Sequence, residues 1–372
     1  MRTHQFMRRV VMLGATVLAA GTPAVGLRAQ AQSDLLLIVL NNDKGGAMLG
    51  FVDVAAGKIV ERVPIGHDPH IVRMSPDGKL AVVNNRNGFA KRIPERDSIH
   101  LIDVPARKEI RRVEVGDGAR PHDTQIAGDK VYFTAVGFKA LGRYDMARNK
   151  IEFFGGGQSG PTQIVVSKDG NTIVGVNPGT DNVSVFQNVL AGPVGQLPSD
   201  RTLVGNVTSF THWTHTLIPV GNGPSGIAMS PDGTEVWTAN EEEGGGISIV
   251  NLAKKTAVTV DLQTRHVVRL RFTQDGRRLL LLDREPGEVT FVDVPTRKVL
   301  KRIRFTADTP GLQLSTGNLA IDAGYAYITV APEKGGTERD YYIAIIDLKT
   351  MEISKRIQTN TYANGITCAR CS

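Results

Sequence analysis

The sequence predicts an all-β fold, a seven-bladed β-propeller of four-stranded antiparallel blades, and three observations carry the prediction. Among 372 residues there are 40 Gly and 18 Pro, so the chain turns often. A phrase of alternating apolar residues bounded by turn residues recurs seven times along it. The first and last copies are incomplete and complement each other. Joining them would close the ring and remove the exposed sheet edges of an open array.

The repeating unit is clearest in residues 223–252, which read GPSGIAMSPDGTEVWTANEEEGGGISIVNL. IAMS is a first strand, PDG a turn, EVWTAN a second strand and ISIVNL a third. A fourth strand, AVTVDL, follows the AKKT turn. Each run alternates apolar with polar or small residues and is enriched in β-branched types, which is typical of strands. One unit therefore predicts one four-stranded sheet.

Counting the third-strand phrase gives the number of blades. The copies are GFVDV (50–54), IHLIDV (99–104), LGRYDM (141–146), VSVFQNV (183–189), ISIVNL (247–252), VTFVDV (289–294) and IAIIDL (343–348). Second and fourth strands give the same count. First strands begin near His70, His122, Thr162, Ser225, Val268, Asn318 and Asn364. The chain starts on a second strand and ends on a lone first strand, NGITCARC, so the C-terminal strand is predicted to pair with the N-terminal strands and close the ring.

The chain divides into a leader and one domain. Residues 1–31 combine Arg2, Arg8 and Arg9, an apolar run and the small-x-small site Ala29-Gln30-Ala31, which predicts a secretory signal peptide. Residues 34–372 are expected to form the single propeller domain. The interval from Gly170 to Gly233 is longer by about 20 residues than the interval to the next equivalent glycine, and this predicts an insertion at about 191–213 in the fourth blade.

Export and charge follow from the leader. The protein is expected to be periplasmic or secreted, and Arg8-Arg9 is also compatible with twin-arginine export. The formal charge of +7 includes four leader arginines, so the mature chain is nearly balanced and nucleic acid is not an expected partner. No later apolar run is long enough to span a membrane. A closed propeller has little need to associate, and a monomer is expected.

Three phrases carry a family resemblance: GPSGIAMSPDGTEVWTAN, GHDPHIVRMSPDGKLAVVNN and DVPARKEIRRVEVG. With their order and period, the mature chain resembles the YVTN family of bacterial extracytoplasmic β-propellers. That resemblance implies the propeller fold and an extracytoplasmic location. It leaves the activity open, because related propellers include lactonases, the propeller part of nitrous-oxide reductase, quinone-linked dehydrogenase subunits and members with no established reaction.

The candidate binding residues lie where fourth-to-first connections and second-to-third turns should meet around the axis. Polar groups from several blades can converge on this funnel face. The candidates are His67, His70, Asn85, Arg86, Arg120, His122, Asp123, Asn177, Asn240, Glu241, Asp283, Arg284 and Asn364.

The histidines are the sharpest signal in this set. His70 and His122 each follow a proline at equivalent positions of adjacent blades, so their rings should point into the same funnel. Imidazole suits metal ligation or proton transfer near neutral pH, and His67 could add a third nitrogen to a divalent metal site. Two other interpretations stay open: a ligand site without metal, and rings that only hydrogen-bond an adjacent loop.

The Asn and Asp residues that end second strands have two interpretations. The resemblance to lactonases implies a divalent cation held by axial oxygens, which Asn177, Asn240, Glu241 and Asp283 could provide. The same residue types also begin tight turns. The Asp that ends third strands (Asp53, Asp103, Asp145, Asp293, Asp347) is expected to be structural.

Two further motifs are expected to carry no chemistry. His212-Trp213-Thr214-His215 lies at the end of the insertion, where strand positions three apart face opposite sides, so it is expected to decorate the surface. Cys368 and Cys371 have a C-x-x-C spacing without a βαβ context. An extended strand opposes a bond between them, and a buried Cys368 with a loose Cys371 is expected.

These observations predict an exported, soluble propeller that acts as a ligand-binding or protein-interaction module through its funnel face. The alternative is a metal-assisted, lactonase-like hydrolase or lyase that uses the funnel His, Asp and Asn residues. The sequence names neither ligand nor partner, and a divalent metal is the one cofactor it suggests.

Overall fold

The computed structural model describes residues 34–43, 46–86, 97–155, 159–191, 210–241 and 246–371. The expected signal peptide lies outside the described residues. Within them, regular structure is β-strand apart from short 3-10 turns such as Pro178–Thr180. The strands are numbered β1 to β28 in chain order.

The described residues of the first half of the chain form fifteen strands. They are β1 Leu35–Asp43, β2 Gly46–Asp53, β3 Lys58–Pro64, β4 Pro69–Met74, β5 Leu80–Asn85, β6 Ser98–Asp103, β7 Lys108–Glu114, β8 Pro121–Ala127, β9 Lys130–Ala135, β10 Ala140–Asp145, β11 Lys150–Gly155, β12 Ile164–Val166, β13 Thr172–Asn177, β14 Asn182–Ala191 and β15 Phe210–Pro219.

In the second half, the described residues form thirteen strands. They are β16 Pro224–Met229, β17 Glu235–Asn240, β18 Ile247–Asn251, β19 Thr256–Val260, β20 Val267–Phe272, β21 Arg278–Asp283, β22 Glu288–Asp293, β23 Lys298–Arg304, β24 Leu314–Ile321, β25 Tyr325–Pro332, β26 Tyr342–Asp347, β27 Glu352–Gln358 and β28 Ala363–Cys368.

These strands form seven four-stranded antiparallel sheets, which confirms the predicted propeller. Blades 2 to 7 each use four consecutive strands, from β4-β5-β6-β7 to β24-β25-β26-β27. Blade 1 has the order β28-β1-β2-β3, with Ile366 opposite Ile38 and Cys368 opposite Leu36. The ring therefore closes by pairing the C-terminal strand with the first strand of the chain, as the split repeat predicts.

The hydrophobic core is divided among the interfaces between neighbouring blades. Between blades 1 and 2, for example, Leu37 and Phe51 pack with Val72 and Val83. In the described residues each of the seven interfaces has such a cluster. Second strands such as LLLIVL are apolar throughout because a neighbouring blade covers each of their faces. Ring closure thus completes the core as well as the hydrogen bonding.

The Asp that ends third strands has the predicted structural role. Its carboxylate accepts a hydrogen bond from a backbone N–H two or three residues on, which fixes the turn to the fourth strand. The bonds are Ala56 to Asp53 at 2.8 Å, Ala106 to Asp103 at 2.8 Å, Arg148 to Asp145 at 2.9 Å, Thr296 to Asp293 at 3.0 Å and Lys349 to Asp347 at 2.7 Å.

The predicted insertion in the fourth blade is partly strand. β14 runs to Ala191 and β15 begins at Phe210, so these two form the longest hairpin of the described chain, paired from Asn182–Pro219 to Ala191–Phe210. Residues 192–209 lie outside the described residues. The extra length therefore extends the outer edge of the blade before the connection begins.

The expected state of the two cysteines is wrong. Cys368 and Cys371 form a disulfide, with Cα atoms 5.0 Å apart. β28 ends at Cys368, and the next residues turn back so that the Cys371 N–H donates to the Cys368 carbonyl at 3.1 Å. A turn brings together two positions that an extended strand would separate.

No helix in the described part of the chain is both long and apolar enough to cross a membrane.

Candidate functional site

The first strands of the blades surround the axis, and their registers place one residue from each blade at the same level. These residues are His70, His122, Thr162, Ser225, Val268, Gly317 and Asn364. All seven line one cavity of about 600 Å³, here called the axial pocket. Its volume is in the range of small-molecule sites.

Six of the predicted site residues line the axial pocket: His70, Arg86, His122, Glu241, Arg284 and Asn364. Asp123 is buried and does not line it. His67 and Arg120 are exposed and do not contribute to the lining. The lining also includes Arg269, which the sequence analysis did not select.

The two predicted histidines are in direct contact. The ring centroids of His70 and His122 are 4.3 Å apart with the planes tilted by 54°. His122 Nδ1 lies 2.8 Å from the Thr162 carbonyl, so it carries the proton and donates, which leaves Nε2 as an acceptor. The Asn364 amide nitrogen lies 2.6 Å from His70 Nδ1, so that amide donates and His70 carries its proton on Nε2. The pair offers one donor and one acceptor.

Burial keeps both rings neutral. It lowers the pKa of His70 well below 6.5, and the neighbouring His122 and Arg86 lower it further. Burial lowers the pKa of His122 to about 4, with Arg269 and Arg86 adding to the effect. At neutral pH the positive charge at this site therefore belongs to arginines. Among the described residues, His70 Nε2 is buried without a hydrogen-bond partner.

Buried arginines stand along the axis. Arg269, only 5% exposed, donates from Nη1 to the Val268 carbonyl at 2.8 Å, and its Nε has no hydrogen-bond partner in the part of the chain that the structure describes. Burial lowers its pKa to about 10, so it stays charged at neutral pH. Arg271 is two residues further along β20 and lines a different cavity, of about 840 Å³. Its Nη1 donates to the carbonyls of Leu270 at 2.9 Å and Ile227 at 3.3 Å.

Asp123 is the buried carboxylate whose charge acts on both of these arginines. It pairs directly with a third axial arginine, Arg73, at 3.2 Å. It also accepts from the backbone N–H groups of Thr124 at 2.9 Å and Ile164 at 3.3 Å. These bonds fix Asp123 as part of the scaffold.

The residues that end second strands hold neighbouring segments of the chain by hydrogen bonds, and the bonds of Asn85 and Asp283 are to the preceding connection rather than to the turn that follows each residue. Asn85 accepts from the Asp68 N–H at 2.8 Å, and Asp283 accepts from the Arg265 and His266 N–H groups at 2.9 Å each. Asn240 accepts from the Ser248 hydroxyl at 3.2 Å. Each buried side chain thus holds adjacent chain in place.

Asn177 has a related role. Its amide donates to Asn182 Oδ1 at 2.8 Å and to the Ser184 hydroxyl at 2.9 Å. Its own Oδ1 is buried without a hydrogen-bond partner.

The predicted three-histidine metal site is not assembled, because His67 is exposed and away from the His70–His122 pair. Within the described residues no group of three His, Cys, Asp or Glu side chains is arranged to hold a metal ion. Glu241, the acidic candidate in the pocket lining, lies 3.5 Å from His266 Nε2. The described residues therefore do not form the three-histidine metal site that the sequence suggested.

The histidine-tryptophan motif of the fourth blade is structural. Trp213 packs edge-on against Phe154 with centroids 5.1 Å apart, and His215 stacks on Phe186 at 4.3 Å. His212 is exposed.

Comparison with known proteins shows the fold. No family model and no curated protein matches the chain. A functionally unknown protein from Desulfotomaculum acetoxidans is similar at a TM-score of 0.64 and 15% identity, covering 90% of this chain and 99% of that one. The dihydro-heme d1 dehydrogenase NirN, solved in complex with DHE, aligns at a TM-score of 0.60 and 15% identity over 92% of this chain and 76% of NirN.

A third similar structure is the β-propeller domain of Cps50 (Swd1) from Myceliophteria thermophila. It has a TM-score of 0.63 and 10% identity, over 83% of this chain and 92% of that one. Sequence identities this low show a shared fold but do not show a shared function.

Proposed function

We propose that this protein is a ligand-binding propeller that holds a small polar molecule in the axial pocket. The observation that carries the proposal is the pair of unpartnered buried polar atoms, His70 Nε2 and Arg269 Nε, on residues that line the same cavity. A buried polar group without a hydrogen bond costs about 1–3 kcal/mol, so a ligand that supplies the bond gains that much at each group.

The His70–His122 pair supports selectivity for a hydroxyl or a similar group. Such a group accepts from His70 Nε2 and donates to His122 Nε2. Because Asn364 and the Thr162 carbonyl fix the outer nitrogens of the two rings, the donor and acceptor roles are set before the ligand arrives. Preorganised polar groups of this kind add affinity because little ordering remains to be done on binding.

A blocked pocket tests the proposal. Ser225 lines the axial pocket, and Ser225→Trp would fill much of it. Thr256→Trp adds the same side chain at an exposed position of the outer strand β19 and serves as the matched control. A panel of sugars, amino acids, organic acids and nucleotides is screened by thermal shift and confirmed by calorimetry.

At least one compound is expected to bind the native protein and Thr256→Trp, and to lose its binding in Ser225→Trp. The proposal fails if no compound binds, or if every binding compound binds Ser225→Trp equally well.

We also propose that the protein works outside the cytoplasm, as an exported propeller related to the YVTN family. The leader pattern of residues 1–31 supports export, and the Cys368–Cys371 disulfide supports an oxidising compartment. Cell fractionation with N-terminal sequencing is the test. The mature chain is expected outside the cytoplasm and to start just after Ala31, and a cytoplasmic chain that retains residues 1–31 would contradict the proposal.

A further inference from the structure

We propose that the molecule in the axial pocket carries an oxyanion group, a carboxylate or a phosphate, which binds the guanidinium of Arg269. This inference rests on the proposed function and adds the chemical class of the ligand.

Buried positive charges outnumber buried negative charges along the axis. Arg73, Arg269 and Arg271 bring three buried or largely buried positive charges. Asp123 supplies one buried negative charge and is already paired with Arg73. The histidines add none because both are neutral at physiological pH. The charges of Asp123 and Glu241 act on Arg269, but among the described residues neither carboxylate forms an ion pair with it, since Asp123 pairs with Arg73 and Glu241 lies beside His266. An anion in direct contact with the guanidinium would offset more of the cost of burying that charge.

Two residues of the pocket lining, Arg269 and His70, have buried donor atoms without a hydrogen-bond partner among the described residues. Arg269 uses Nη1 on the Val268 carbonyl, while its Nε is buried and unpartnered. His70 Nε2, the donor that the proposed function assigns to a hydroxyl of the ligand, belongs to a second residue of the same lining. An oxyanion accepts several hydrogen bonds at once, and those from a guanidinium are among the strongest in proteins.

The buried and the exposed residues of the lining, here called the floor and the rim of the axial pocket, differ in charge. Arg269 and His70 are buried, whereas Glu285, Glu333 and Arg284 line the same pocket and are exposed. Carboxylates at the rim repel a second negative group there. The anionic end is therefore expected on the floor beside Arg269, with an uncharged or cationic part of the ligand toward the rim.

The chain provides a matched control in the same strand. Arg269 and Arg271 are both buried arginines of β20 that donate to neighbouring carbonyls, and both keep their charge at neutral pH. Only Arg269 lines the axial pocket. Arg269→Gln and Arg271→Gln remove the same charge from the same strand at comparable burial, so the comparison isolates the position of that charge.

The experiment is calorimetric titration of the full-length mature protein with citrate and, separately, with inorganic phosphate, at neutral pH and constant ionic strength. Native protein and Arg271→Gln are expected to bind at least one probe with affinities within about threefold of each other, and Arg269→Gln to bind it at least tenfold more weakly. The citrate and phosphate arms separate the two sources of the oxyanion. Equal weakening in both variants, or no binding by the native protein, overturns the inference.

Two further measurements keep the test decisive. If Arg269→Gln does not fold, Arg269→Lys is expected to keep binding because it keeps the charge, and Ser225→Trp to lose binding because it blocks the pocket. Loss of binding in Arg269→Lys together with retention in Ser225→Trp would overturn the inference. One outcome is a neutral compound that binds the native protein and Arg269→Gln equally well but does not bind Ser225→Trp. That result would support the proposed function and contradict this inference.

Discussion

Protonation of the axial histidines should make the fold acid-sensitive in a way that can be assigned to one side chain. The pKa of His122 is about 4 in the folded protein, against 6.5 for an exposed imidazole. The unfolded chain therefore takes up a proton as the pH falls below 6.5 while the folded chain does not. The contribution of the neutral His122 to the free energy of unfolding is fully present above pH 6.5 and is lost as the pH falls toward 4.

The size of the effect follows from the same two values. One pKa unit corresponds to about 1.4 kcal/mol, so the full loss from His122 is about 3 kcal/mol, of which about 2 kcal/mol has occurred by about pH 5. Burial also lowers the pKa of His70, which adds a loss of the same sign.

The variant that isolates this contribution is His122→Asn. Its amide can still donate to the Thr162 carbonyl, as Nδ1 of the imidazole does at 2.8 Å, but it does not titrate. The free energy of unfolding is measured by urea denaturation between pH 5 and pH 7.5. His122→Asn is expected to lose about 2 kcal/mol less than the native protein over that interval.

Thr256→Asn, a change at an exposed position that does not titrate, provides the control and should follow the native curve. Parallel curves for the native protein and His122→Asn would refute the assignment of a low pKa to the buried ring.

Three other outcomes are expected. Deleting β28 removes its pairing with β1 and part of the core between blades 1 and 7. Circular dichroism and size exclusion should therefore show loss of the folded monomer. A stable folded monomer would contradict closure of the ring by this strand. Asp340→Ala removes a buried carboxylate that accepts five hydrogen bonds from neighbouring loop residues. Urea denaturation should show that the free energy of unfolding falls by about 3 kcal/mol or more. A substitution at an exposed position typically changes it by less than about 0.5 kcal/mol, and a change that small for Asp340→Ala would contradict the buried network. Gly142→Ala brings a Cβ to 2.2 Å from the Phe133 ring and should cost about 1–3 kcal/mol, whereas Gly155→Ala, with open space around it, should be nearly neutral; equal thermal midpoints would contradict this packing.

Much of the site could be expected from the repeat, because equivalent positions in a propeller face the same way. His70 and His122 come after prolines at matching points of two units, and they meet in the axial pocket. Arg269 was not predicted as a site residue because it lies within a first strand, whereas the predicted residues lie in connections and at strand ends. The signal was present in VVRLRF, a strand in which Arg269 and Arg271 alternate with apolar residues although every position is buried.

Other errors have a common physical origin. Proximity of His67 to His70 along the chain suggested a third metal ligand, but the connection directs His67 to solvent. For the cysteines, a strand was assumed to continue to the C-terminus, whereas a turn after Cys368 closes a disulfide. A one-residue choice between strand and turn reverses the direction of a side chain, and such choices depend on packing that local sequence does not encode.

The sequence by itself determined the number of blades, the order of the strands and the closure of the ring, because these follow from apolar periodicity and from counting units. Only the tertiary structure decided which polar groups are buried together. Desolvation and charge depend on what surrounds a group from all seven blades, so the neutral histidine pair and the charged Arg269 beneath it emerge only when the ring is closed.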